Sequence, residues 1–273
     1  MITTRFAPSP TGLLHIGNYR TAIFSYLFAH QNKGKFILRI EDTDKERSKK
    51  EYEENIVESL KWLGLEYDEF YRQSDLVEEH TKLLQKLIDS DKAYLDGELV
   101  RLRNVNKLVT FHDLIRGDIS FDTTELGDFI IAKTMNRPLF HFAVVVDDYM
   151  ANVTHIIRGE DHISNTPRQI LIYEALEFKI PQYAHLPLVL DENRAKLSKR
   201  KGALSLLDYK EKGYSPETMV NAIAFLGWNP GNGNNKEVYT KEELIKDFDI
   251  TKVKKGGACL SEDKLKWFQK KHS

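Results

Sequence analysis

The opening thirty residues constrain the fold most tightly. Ile2 to Ala7 reads as a short strand, and Pro8, Pro10 and Gly12 then break it. From His15 to about Gln31 the apolar residues Ile16, Tyr19, Ile23 and Tyr26 recur three and four apart, as on one helix face. A strand handed through a sharp turn to a helix is the first unit of an α/β sheet. The chain repeats the pattern. Phe36 to Ile40 reads as a second strand, and helical segments follow near residues 48–63 and 74–89. Residues 99–140 change character, with short β-like pieces and no strong helix, as in an insertion. Phe142 to Val146 is a continuous apolar run that predicts a strand buried on both faces. Val153 to Arg158 predicts another, Thr166 to Leu176 a helix, and Leu186 to Leu190 a further strand. Strand and helix alternate on both sides of the insertion, so the expected fold is α/β, a parallel sheet split by an insertion.

From about residue 204 onward the pattern is mainly helical. Ser215-Pro216-Glu217 is a helix start: a capping hydroxyl, a proline in the first turn and an acid beside it. Pro230 to Asn235 reads as a loop, and the tail Lys270 to Ser273 as a frayed end. The expected segments are 1–92, a first half-sheet; 93–137, the insertion; 138–203, the second half-sheet; and 204–273, the helical part.

Composition narrows what this fold could serve. The 273 residues hold 40 Lys and Arg against 41 Asp and Glu, a net charge of −1, so any anion must be met by locally placed charge. Hydrophobic residues at 41% support a packed core and argue against disorder. The single cysteine, Cys259, excludes an internal disulfide and a zinc site built on several thiolates. A packing role is expected of it, and the apolar contexts of Trp62, Trp228 and Trp267 predict the same for them. The N-terminus lacks the apolar run of about 7–15 residues found in signal peptides. No stretch approaches the roughly 20 apolar residues of a membrane span. A soluble, cytoplasmic protein with no membrane partner is expected. Charge is uneven all the same: residues 41–80 hold fourteen acids and six bases, and residues 192–212 seven bases and three acids.

Two motifs carry chemistry. In Pro8-Ser9-Pro10-Thr11-Gly12-Leu13-Leu14-His15-Ile16-Gly17-Asn18 a strand ends, glycine turns the chain and a helix begins beside a histidine. A helix start offers backbone N–H groups and positive dipole to a phosphate, and His15 can add a hydrogen bond. Gly17 allows a ligand close to the backbone. In Lys196-Leu197-Ser198-Lys199-Arg200-Lys201-Gly202 cations cluster on a loop, suited to charge developing on phosphorus. Either motif alone is an ordinary turn. Together, on either side of a split α/β sheet, they resemble the two signatures of class I aminoacyl-tRNA synthetases.

Further runs narrow the resemblance to the glutamyl-tRNA synthetase family. They are Arg5 to Gly12, Arg39-Ile40-Glu41-Asp42-Thr43-Asp44, Asp113-Leu114-Ile115-Arg116-Gly117, His155 to His162, Asn165 to Gln169 and Gly213 to Glu217. The resemblance runs from Ile2 to about Trp267. It implies a Rossmann-like catalytic domain that uses ATP with Mg2+, L-glutamate and the acceptor end of tRNA(Glu), working as a monomer. By the same resemblance His15, Gly17, Asn18, Asp161, Lys196, Lys199 and Arg200 meet ATP, with Lys199, His15 and Lys196 assisting adenylate formation. Glutamate brings two carboxylates and one ammonium, so its site needs cations and an anion; an arginine fork matches a carboxylate better than a lysine. Arg5 and Arg158 correspond to the family's carboxylate-binding arginines and Glu41 to its ammonium-binding acid. Ala7 and Ser9 complete that wall, Ser9 with a hydrogen bond.

The sequence departs from the family in three places. A tyrosine is usual where Phe140 stands, so one hydroxyl is missing and Phe140 becomes apolar pocket lining, with His141 as a compensating polar group. The acceptor-binding insertion is shorter: after Ala93-Tyr94 the text continues through Arg103 and rejoins the family near Thr110, without a cysteine-rich zinc knuckle, so no zinc is expected. The family continues past the position of Trp267 into a helical anticodon-binding domain, so 273 residues suggest the catalytic part alone. Two alternatives fit a short chain: a glutamyl-queuosine tRNA(Asp) synthetase, and a non-catalytic relic that binds nucleotide or tRNA without turnover.

Overall fold

The computed structural model describes residues 1–191, 193–195, 197, 204–231, 233 and 235–273. Its first layer is a parallel sheet made from β1 (Thr3–Phe6), β2 (Lys35–Ile40) and β3 (Glu69–Arg72), in the order β1-β2-β3. Helix α1 (Ile16–Gln31) connects β1 to β2, and α2 (Lys50–Trp62) connects β2 to β3. These are the crossovers that parallel strands require. β2 is buried nearly throughout because sheet and helices cover both its faces.

Helix α1 has no polar stripe. Tyr19, Ala22, Ile23, Phe24, Leu27 and Ala29 are all fully buried, although they point in different directions. A helix apolar all round must be covered all round. Here the sheet lies on one side; on the other lie α7 (Pro216–Ala224) and α8 (Lys241–Asp247), with Phe24 edge-on to Phe248 at 5.1 Å. The expected starting face, Ile16, Tyr19, Ile23 and Tyr26, is buried as part of this larger contact.

After α3 (Val77–Asp89) the chain enters the segment read as an insertion. β4 (Ala93–Asp96), β5 (Leu99–Leu102), β8 (Phe129–Thr134) and β9 (Arg137–Pro138) form a separate antiparallel sheet. The hairpin of β6 (Leu108–Asp113) and β7 (Gly117–Asp122) does something different. β6 runs parallel to β11 (Gln182–Leu186) at Asp113 and Tyr183 and so joins the second half-sheet, ordered β10-β11-β6-β7, where β10 is His155–Gly159. The two half-sheets meet where the Thr154 N–H donates to the Thr3 carbonyl at 2.9 Å.

Four expectations change. Phe142 to Val146 lies in helix α4 (Phe140–Met150), not in a strand. All five residues are buried, and so are the next two, Asp147 and Asp148, because α4 is enclosed by α3, α5 (Thr166–Ala175) and β8. A continuous apolar run looks the same in a strand and in an enclosed helix. The strand expected over Leu186 to Leu190 is interrupted: β11 ends at Leu186, and a short β12 (Val189–Leu190) pairs with β13 (Ala258–Cys259). Cys259 is exposed on that edge and donates its thiol to the Asp191 carbonyl at 3.4 Å, so it does not pack inside.

The C-terminal part contains α6 (Leu206–Glu211), α7, α8 and α9 (Glu262–His272). Ser215 caps α7 as expected, accepting from the Thr218 N–H at 3.2 Å. The tail is not frayed: α9 runs to His272, whose Nε2 meets Asn221 Oδ1 at 2.9 Å. Trp228 is buried among Phe225, Tyr239 and Phe248, and Trp62 and Trp267 pack half-buried against the same core. Among the described residues no helix is long and apolar enough to cross a membrane.

Candidate active site

The carboxyl ends of β1, β2 and β10 open onto one cavity of about 470 Å3. Crevices at strand ends where an open α/β sheet changes direction are the usual ligand sites of such folds. Arg5, Ala7, Ser9, His15, Gly17, Asn18, Glu41, Phe140, Arg158 and Asp161 all line it, although they are spread over more than 150 positions of sequence. Lys196, Lys199 and Arg200 lie outside the described residues. Leu197, between Lys196 and Ser198, lines the cavity, and its N–H donates to the Val189 carbonyl at 2.9 Å.

One end of the cavity is built by the α1 terminus. His15 is the N-cap, and its Nδ1 accepts from the Gly17 N–H at 3.1 Å. The Asn18 side chain accepts from the His15 N–H at 3.1 Å, closing a reciprocal cap. A neutral imidazole that accepts at Nδ1 carries its proton on Nε2, which makes that edge a donor. Gly17 is required by this arrangement, since a Cβ there would lie 2.9 Å from the imidazole. Gly159 is required likewise: a Cβ would meet Asp161 Oδ1 at 2.5 Å, so its absence lets that carboxylate fold back over β10.

The other end is charged and buried. Arg5, 5% exposed, donates from Nε to Asp148 Oδ1 at 3.1 Å. Arg39, fully buried, donates to the same oxygen at 2.5 Å and to Glu41 Oε1 at 3.0 Å. Its Nε stands 3.6 Å from Asp147, which also accepts from the Gln73 amide and meets His80 Nε2 at 2.7 Å. Burial works to raise the Asp148 carboxyl, but the Arg39 and Arg5 guanidiniums outweigh it and hold it below its ordinary value. For Glu41 burial wins over Arg39, and its carboxyl is raised.

Arg158 is treated otherwise. At 7% exposed it has no carboxylate within ion-pair distance among the described residues. Its Nε donates to His185 Nε2 at 3.1 Å and one terminal nitrogen donates to Thr166 Oγ1 at 2.9 Å. Burial lowers its guanidinium to about 10, which still leaves it charged at neutral pH. A buried cation with only neutral partners, at the wall of a cavity, is placed to receive an anion.

Phe140 is 39% exposed and contributes only its ring, 5.7 Å from the His162 ring. Of the two neighbouring histidines, His162 lines the cavity and His141 does not. Burial, then nearby arginines, lower both imidazoles to about 4, so both are neutral at pH 7. Sequence reasoning did not find Arg20, Arg39, Asp147, Asp148 or His185. Arg20 reaches from α1 to the Pro187 and Leu226 carbonyls and lines the cavity floor. The paired Asp147-Asp148 after an apolar run was the available signal, since acids following a buried stretch need buried cations.

Comparison with known proteins fits this geometry. The family model described as tRNA synthetases class I (E and Q), catalytic domain, matches residues 1–100 and 96–267. The two matches meet at the β4–β5 turn. A glutamate–tRNA ligase of Aquifex aeolicus is 47% identical over 310 residues, covering 97% of this chain and 65% of that protein. One from Hydrogenobaculum sp. is 46% identical, covering 98% of this chain and 67% of that protein. This chain thus spans about two thirds of the length of these relatives. The Aquifex alignment is also longer than the 273 residues here, so the chain lacks residues inside the matched region. The crystal structure of a glutamate tRNA ligase from Elizabethkingia meningosepticum, in complex with its amino acid, superposes with a TM-score of 0.91 at 33% identity, over 99% of this chain and 69% of that one. On the match of the family model to nearly all of its length, the chain belongs to the class I tRNA synthetases of the glutamate and glutamine type, as their catalytic domain.

Proposed function

We propose that the chain activates L-glutamate with ATP and transfers the glutamyl group to the 3′ end of tRNA(Glu). The observation that carries this reading is a single cavity lined by Glu41, the His15-capped helix start and Arg158, which is buried and without an anionic partner among the described residues. An amino acid with an anionic side chain meets Arg158 and Arg5 with its carboxylate and Glu41 with its ammonium. Its α-carboxylate oxygen attacks the α-phosphorus of ATP, the bond to the bridging oxygen breaks, and pyrophosphate leaves. A hydroxyl of the terminal tRNA adenosine then attacks the acyl carbon, and AMP leaves. The chain contributes position and charge, with no covalent enzyme intermediate. His15 Nε2, the Gly17 and Asn18 backbone and Asp161 bind the nucleotide, and Lys196, Lys199 and Arg200 meet its phosphates. Magnesium enters with ATP; among the described residues no group of three or more His, Cys, Asp or Glu could hold a metal.

The names of the relatives support glutamate and tRNA(Glu) as substrates. The four segments 1–92, 93–137, 138–203 and 204–273, a cytoplasmic location and a monomeric state belong to the same reading. The test is ATP–pyrophosphate exchange with saturating glutamate, ATP and tRNA(Glu). Exchange above background is expected, and Lys199→Ala should abolish it. Background exchange in the wild type would leave the binding relic as the better account. Charging of queuosine-containing tRNA(Asp) and not of tRNA(Glu) would replace this reading with the glutamyl-queuosine alternative.

A further inference from the structure

Arg158 can receive a carboxylate only if its fork is held in one orientation. Its two fixed nitrogens are held by His185 and Thr166, and the other terminal nitrogen has no protein acceptor among the described residues. The His185 contact makes a strict demand. An arginine Nε always carries a proton, so His185 Nε2 must be an acceptor. The imidazole proton must then sit on Nδ1. Asp113 enforces this, because its Oδ2 lies 2.7 Å from His185 Nδ1 and also accepts the His185 backbone N–H at 3.0 Å. The carboxylate is itself fixed, with Oδ1 accepting from the Ile115 and Arg116 N–H groups at 3.0 and 2.8 Å. Both Asp113 and His185 are almost completely buried. Thr166 Oγ1, 3.3 Å from His185 Nε2, spends its proton on the His162 carbonyl and therefore accepts from Arg158.

A second brace runs beside the first. Arg116 donates from Nε to the His185 carbonyl at 3.3 Å and from Nη2 to Glu160 Oε2 at 2.5 Å. Glu160 Oε1 accepts the N–H of Leu188, which lines the cavity. Asp113 and Arg116, which anchor the two braces, stand at the turn between β6 and β7, in the segment that interrupts the Rossmann-like sheet.

We propose that Asp113 and His185 are positioning residues for anionic substrate recognition: Asp113 selects the Nδ1–H form of His185, and the bare Nε2 of His185 orients the Arg158 guanidinium toward a carboxylate in the cavity. The proposal rests on the glutamate reading of the cavity and extends it to two residues that line no part of it. Burial lowers the His185 imidazole below its ordinary value even against Asp113, in keeping with a neutral ring. In the protonated ring, or in the other neutral form, two N–H donors would face each other across the 3.1 Å contact with Arg158.

Three measurements on the full chain test this. Long-range 1H–15N NMR of histidine-labelled protein should show His185 protonated at Nδ1 and bare at Nε2. Calorimetric titration with L-glutamate should show an affinity about 10- to 100-fold weaker in Asp113→Asn and His185→Phe, the scale of a lost hydrogen bond to a charged group. His185→Gln, which returns an acceptor, should recover part of that loss. ATP titrated alone should bind the wild type and all variants equally, which a general structural defect would not permit. If Asp113→Asn does not fold, the His185→Phe and His185→Gln pair decides. A wild-type His185 protonated at Nε2, variants that bind L-glutamate as the wild type does, or a parallel loss of ATP affinity would overturn the inference. A wild type that binds ATP and not L-glutamate would instead overturn the glutamate reading itself, before any variant is made.

Discussion

Arg5 and Arg158 reach the same cavity from neighbouring parts of the sheet, β1 and β10, yet the protein handles their charges in opposite ways. Arg5 leans on Asp148, which it shares with Arg39, and Arg39 in turn holds Glu41. Arg158 has neutral partners only among the described residues. The first arrangement stabilises the fold from within, since each buried charge has a counter-charge. The second leaves attraction unspent until an anion arrives. One wall of the cavity thus carries paired buried charge, and the other carries a buried cation that, on the proposed function, meets the substrate carboxylate.

Substitutions on the two walls should separate stability from binding. The largest expected effect is that of Asp148→Ala, which strands the buried guanidinium of Arg5 and takes one counter-charge from that of Arg39. Breaking a buried ion pair by removing one partner costs about 3–5 kcal/mol, so urea unfolding should shift by that amount. Arg158→Met should leave the unfolding midpoint unchanged or raise it, because no buried anion loses its partner, while glutamate binding disappears. Equal stability losses in the two variants would erase the distinction. Arg158→Lys comes next. It keeps the charge and loses the fork and its link to His185, so glutamate affinity should fall by about 1.5–3 kcal/mol in calorimetric titration. A smaller effect of the opposite sign is expected from Phe140→Tyr. The added hydroxyl should tighten glutamate binding by about 0.5–1.5 kcal/mol, and unchanged or weaker binding would show that the ring does not reach the ligand.

A further effect concerns pH. His141 and His162 titrate at about 4 in the folded chain against an ordinary value of 6.5. Between those values the unfolded chain binds more protons, so stability is fully present above about pH 6.5 and declines as pH falls toward 4. The melting temperature should therefore be lower at pH 5 than at pH 7.5. The double variant His141→Gln, His162→Gln should narrow that difference. An undiminished difference would assign the pH dependence to other groups.

What could be read in advance divides along physical lines. The β1–turn–α1 unit was legible because proline and glycine punctuate it and the helical spacing is local. The residues lining the cavity were legible because they sit within short motifs that resemble those of the family, while what each of them binds belongs to the proposed function. Asp148 was not, because its partner Arg5 is 143 positions away, and acids after an apolar run signal a buried cation without saying which one. The apolar run at Phe142 was misread for a related reason. Its helical state depends on α3, α5 and β8 enclosing it. His185 is the clearest case: it looks like any strand histidine until Asp113 and Arg158 are found on its two nitrogens.

The central claim is that this cavity selects and activates an amino acid with an anionic side chain. The most direct measurement is ATP–pyrophosphate exchange with tRNA(Glu) present, comparing glutamate with glutamine in the wild type and in Arg158→Met. The account predicts exchange with glutamate, little with glutamine, and loss of the glutamate signal in the variant. Equal exchange with both amino acids, or glutamate exchange that survives Arg158→Met, would contradict it.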